Sequence, residues 1–95
     1  MKSDGITAQI AEALRRAMCS VTYLDPGGIR AGSGAPDLLV GRAGKTYLLE
    51  VKMPKAKLND NQVRWHREWR GVPVEIVHSV EEALRAVGLL QSEAA

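Results

Sequence analysis

Gly34-Ala35-Pro36-Asp37-Leu38-Leu39-Val40-Gly41 and Lys45-Thr46-Tyr47-Leu48-Leu49-Glu50-Val51-Lys52 decide how this chain folds. Pro36–Gly41 and Lys45–Lys52 each form a short run rich in Leu, Val and Tyr, bounded by turn formers. They are joined at Gly41-Arg42-Ala43-Gly44, and the two runs read as the strands of a hairpin. Both are apolar nearly throughout, which predicts a strand pair covered on both faces.

Three charged residues break that apolar pattern. Asp37 opens the first strand, and Glu50 and Lys52 interrupt the end of the second. Strand side chains alternate, so Glu50 and Lys52 point to one face. If the hairpin is symmetric about Arg42 and Ala43, Leu48 lies opposite Asp37, and Glu50 is diagonal to Asp37 on the same face. Burying a charge costs several kcal/mol unless it is paired or bound to a metal. One reading is an ion pair of Lys52 with Glu50 or with Asp37, which leaves a surplus carboxylate beside it. The other is a hard divalent cation, Mg²⁺ or Mn²⁺, between two carboxylates that otherwise repel.

Outward from the hairpin, Ile6, Ile10, Leu14 and Met18 recur every four residues and predict a helix from Asp4 to Met18. Val21, Thr22 and Tyr23 favour a strand over Ser20–Leu24, ended by Asp25-Pro26-Gly27-Gly28. After Pro54, Asn59 followed by Gln62 resembles a capping box and starts a helix to about Arg70, where Gly71 stops it. Pro73–His78 reads as another strand, and Ser79 with Glu82 starts a last helix through Ala83, Leu84 and Val87. The order is α-β-β-β-α-β-α: a mixed α/β domain with a central mixed sheet and helices on both faces. On the middle helix Gln62, Trp65 or His66, and Trp69 share a face. The tryptophans are expected to pack onto the sheet, holding Gln62 against it. His66 on a helix flank and His78 at a strand end read as ordinary residues away from the carboxylates.

The 95 residues fit one domain, with 45% hydrophobic and 25% charged residues. No apolar run approaches the roughly 18 residues of a membrane span, and the N-terminus lacks the apolar stretch of a signal peptide. A cytoplasmic protein is the expectation. Cys19 stands alone, so no internal disulfide forms, and Cys19 reads as a small apolar filler. Between Arg42 and Arg70 eight basic residues face three acidic ones, a net +5 against −3 for the remainder. Such a basic middle suits a polyanion, and Arg30, Lys55, Lys57, Arg64, Arg67 and Arg70 are the candidate phosphate contacts.

Pro36-Asp37 with Glu50-Val51-Lys52 resembles the signature of the PD-(D/E)xK nuclease superfamily, whose core is the restriction-endonuclease-like α-β-β-β-α-β. The further run Gly34-Ala35-Pro36-Asp37-Leu38, Glu50-Val51-Lys52-Met53-Pro54, Leu58, Gln62 and Trp65 is similar to its VRR-NUC branch, in particular the small standalone members of phages and bacteria. The resemblance implies that Asp37, Glu50 and the backbone carbonyl of Val51 hold Mg²⁺ or Mn²⁺. It further implies that Lys52 is the catalytic lysine and Gln62 an additional active-site residue. Family members often add a Glu from the first helix; here the candidates are Asp4, which is shorter, and Glu12, which comes late.

The function so implied is hydrolysis of phosphodiester bonds in DNA. Small relatives are similar to homodimers acting on branched DNA, which makes a Holliday-junction resolvase-like activity the expectation, with no organic cofactor and no membrane partner. A DNA-binding or accessory module of the same fold that does not cut is the rival; Asp37, Glu50 and Lys52 are all present, which argues for catalysis.

Overall fold

The computed structural model describes residues 4–24 and 33–91. Helix α1 spans Asp4–Arg16, strands β1, β2 and β3 span Ser20–Tyr23, Leu38–Arg42 and Lys45–Val51, α2 spans Asp60–Glu68, β4 spans Val74–Val77, and α3 spans Val80–Ala86. The expected element order holds. The strands form one mixed sheet in the order β1-β2-β3-β4, antiparallel except for the parallel β3–β4 pair. Parallel pairing needs a crossover, and α2 supplies it.

Alternation along the strands gives the sheet two different faces. Leu38, Val40, Leu49, Val51 and Val77 turn to one side and pack against Ile10 and Leu14 of α1 and Ala83 and Val87 of α3. Cys19 joins this core as an apolar filler. The other side, carrying Leu39 and Leu48, lies beneath Trp65 and Trp69 of α2.

Two local expectations are corrected. Met18 does not extend the stripe of α1: its side chain is 89% exposed and its φ is +72°. It takes the left-handed position that stops the helix, with the N–H groups of Met18 and Cys19 returning to the carbonyls of Arg15 and Leu14 at 3.0 Å each. The hairpin is also tighter than the symmetric reading. Arg42 pairs with Lys45, so only Ala43 and Gly44 turn, both with positive φ, as a two-residue hairpin twisting with its strands requires. Leu39 therefore lies opposite Leu48, and continuing this register one step beyond Leu38–Leu49 puts Asp37 opposite Glu50 rather than diagonal to it. The Arg42 guanidinium donates to the Val87 carbonyl at 3.0 Å, tying the hairpin tip to the end of α3.

Candidate active site

Asp37 stands just before β2. Its N–H donates to the Leu49 carbonyl at 3.0 Å, and its Oδ2 accepts from the Val51 N–H at 2.7 Å. The side chain thus replaces a ladder bond at the mouth of the hairpin, which holds the carboxylate in place. Glu50 comes from the buried half of β3 and is 2% exposed. Its pKa is pushed up to about 8, first by burial, then by the charge of Asp37, then by a proton the two carboxyls would share. The Lys52 ammonium acts in the opposite direction.

Gln62 holds Glu50 from above. It sits at the third position of α2, where its N–H donates to Asn59 Oδ1 and its Oε1 accepts from the Asn59 N–H, each at 2.9 Å. That reciprocal cap uses the amide oxygen and leaves the amide nitrogen to point inward. Nε2 donates to Glu50 Oε2 at 3.2 Å. The capping role and the site role are therefore one arrangement.

Lys52 follows the end of β3, on the face of Glu50, with its N–H donating to the Val77 carbonyl at 3.0 Å. Its own carbonyl is 2.9 Å from His78 Nδ1, which must be the donor because a carbonyl only accepts. His78, expected to be ordinary, thus fixes the backbone beside the lysine.

Gly34 explains how α2 comes close enough. Its φ is +85°, and a Cβ there would lie 2.2 Å from the Asn61 carbonyl oxygen. Only glycine lets the stretch ahead of Asp37 pass under the first turn of α2.

His66 corrects the sequence reading. It is not clear of the carboxylates: its Nε2 is 3.6 Å from Glu50 Oε1, and both atoms are buried without a hydrogen-bond partner. Burial, followed by the charge of Lys52, lowers its pKa. The signal lay in the spacing, since His66 is four residues after Gln62 and so on the same helical face. The tryptophans also differ from expectation. Trp65 and Trp69 stack with ring centroids 4.7 Å apart, but Trp69 stays 45% exposed, and α2 has no fully buried residue.

The remaining candidates are more dispersed. Glu12 makes an exposed ion pair with Arg16 at 2.9 Å. Asp4 starts α1, but its side chain lies outside the described structure, as does Arg30 altogether. Lys55, Lys57, Arg64, Arg67 and Arg70 are exposed along the loop after β3 and along and beyond α2. The Val51 side chain is buried on the core face.

Among the described residues no three His, Cys, Asp or Glu side chains form a metal cage by themselves. The donors present still fit a hard cation. Two carboxylates face one another, and one of them, buried, has an oxygen with no partner. An ion such as Mg²⁺ keeps several waters and takes only one or two carboxylates.

A solved structure described as "VRR_NUC domain" is similar to this chain, with a TM-score of 0.71 and 27% sequence identity. The likeness covers 92% of this chain and 95% of that one. No family model matches the chain, nor does any curated protein.

Proposed function

We propose that this chain, a VRR-NUC domain by fold and by motif, is a metal-dependent endonuclease that hydrolyses phosphodiester bonds in DNA. The observation that carries the reading is Glu50: a carboxylate 2% exposed, set against Asp37, with one oxygen unpartnered. A domain maintains so costly an arrangement where something is to bind.

Asp37 and Glu50, with the Val51 carbonyl, would hold Mg²⁺ or Mn²⁺. When bound, the ion lowers the pKa of a water and neutralises charge on a phosphate oxygen. Asp37 is oriented by the Val51 N–H and Glu50 by Gln62, so both carboxylates are set before substrate arrives. Lys52, on the same face and with its backbone fixed by His78, supplies positive charge for the phosphorane or orients the attacking water. The exposed Lys55, Lys57, Arg64, Arg67 and Arg70 suit backbone phosphates, which position DNA without reading its sequence. So small a domain suits recognition of shape. A symmetric homodimer would place two such sites on two strands of a four-way junction, hence a resolvase-like activity.

The rival reading is a DNA-binding module of the same fold that does not cut. Cleavage of labelled duplex, nicked, flap, fork and four-way-junction DNA with Mg²⁺ or Mn²⁺ separates the two. Cutting selective for the junction, reduced about 100-fold or more in Lys52→Ala, is the expected result. Junction binding by the wild-type protein with no cleavage of any substrate supports the binding module instead.

A further inference from the structure

His66 Nε2 and Glu50 Oε1 face each other at 3.6 Å, buried and unpartnered. Leaving two buried polar atoms in that state is destabilising unless something joins them. The separation is about half an ångström beyond a normal hydrogen bond. The Trp65 ring meets the imidazole edge-on, with centroids 6.4 Å apart and planes at 80°. One helical turn earlier on the same face, Gln62 donates to the other oxygen of the same carboxylate. Two side chains four residues apart on α2 therefore address the two oxygens of Glu50 separately.

A carboxylate that ligates a metal holds its orientation through hydrogen bonds from the surrounding shell. We propose that His66 is a positioning residue for Glu50: its neutral imidazole carries the proton on Nε2 and donates it to Oε1, completing with Gln62 a two-point clamp. Each oxygen keeps a second lone pair for the cation. The inference rests on the ion site proposed above and assigns it a further residue acting through Glu50.

The test uses the full chain, Mn²⁺ as the probe read by electron paramagnetic resonance, and the variants His66→Leu, His66→Gln and Glu50→Gln. His66→Leu should weaken Mn²⁺ binding about tenfold or more. His66→Gln, whose amide nitrogen can replace Nε2–H, should stay within about threefold of wild type. The ¹⁵N spectrum of the wild type should show the His66 proton on Nε2. Unchanged binding in His66→Leu, equal losses in both His66 variants, or a proton on Nδ1 would each overturn the proposal. If Mn²⁺ binding needs Glu50 but ignores His66, only the clamp falls. If wild type fails to bind Mn²⁺, or Glu50→Gln binds equally well, the ion site falls and the clamp with it. Should His66→Leu not fold, His66→Gln and the wild-type tautomer still decide.

Discussion

The two faces of the sheet are built to opposite specifications. On the α1/α3 face Leu38, Val40, Leu49, Val51 and Val77 are each 2% exposed or less, and both helices press apolar side chains onto them. On the α2 face the helix contributes no fully buried residue, and an apolar groove of about 450 Å³ lies between Leu39, Leu48, Trp65 and Trp69. The deeply buried polar group, Glu50, belongs to this second face. One face supplies cohesion through area removed from water, about 1.5–3 kcal/mol for each fully buried Leu or Val. The other gives up close packing so that charged groups can be held beside an accessible surface. Stability and the site thus draw on the same strands but on alternate residues of them.

The strongest test of this division is Leu49→Ala. Its side chain is 0% exposed on the packed face, so truncation should cost about 2–5 kcal/mol. At about 4–8 °C per kcal/mol for a domain of this size, calorimetry should show a fall in Tm of roughly 10 °C or more. A fall of only a few degrees would break the comparison.

A medium effect comes from Glu50. Its folded pKa, about 8, stands above its ordinary value of 4.5, so the native state keeps a proton the unfolded chain has lost. The associated stability is fully present below pH 4.5 and is lost as pH rises through 8. His66, held below its ordinary 6.5, acts in the opposite sense at lower pH. Between about pH 6.5 and 8 the metal-free Tm should therefore fall in wild type and stay flatter in Glu50→Gln. Equal slopes would remove the buried carboxyl as the source.

The smallest effect sharpens the contrast. Trp69→Ala removes a large ring that is 45% exposed and stacked on Trp65. The stack adds about 0.5–1.5 kcal/mol to what the half-buried ring gains from area removed from water, so urea unfolding should register a loss of about 1–2 kcal/mol. A loss approaching that of Leu49→Ala would mean that the α2 face is as tightly packed as the other.

The sequence alone determined the order of elements and the starts of two helices, because those depend on neighbours. Asn59 with Gln62 caps α2 reciprocally, and Ser79 accepts from the Glu82 N–H at 3.1 Å. It also determined that Asp37, Glu50 and Lys52 share a face. The symmetric hairpin misplaced the partner of Asp37 by two residues, and an even slip leaves every side chain on its own side; a one-residue slip would have moved them all. What stands over that face comes from packing between segments far apart in the chain. The positions of His66 beside Glu50, of His78 on the Lys52 carbonyl and of Trp69 at the surface depend on how α2 and β4 sit against β3. For α2 that placement is fixed where Gly34 passes under Asn61, twenty-seven residues later in the chain. Alternation and caps are written into adjacent residues, whereas the seating of a helix on a sheet is a balance of contacts between distant segments, which no local pattern encodes.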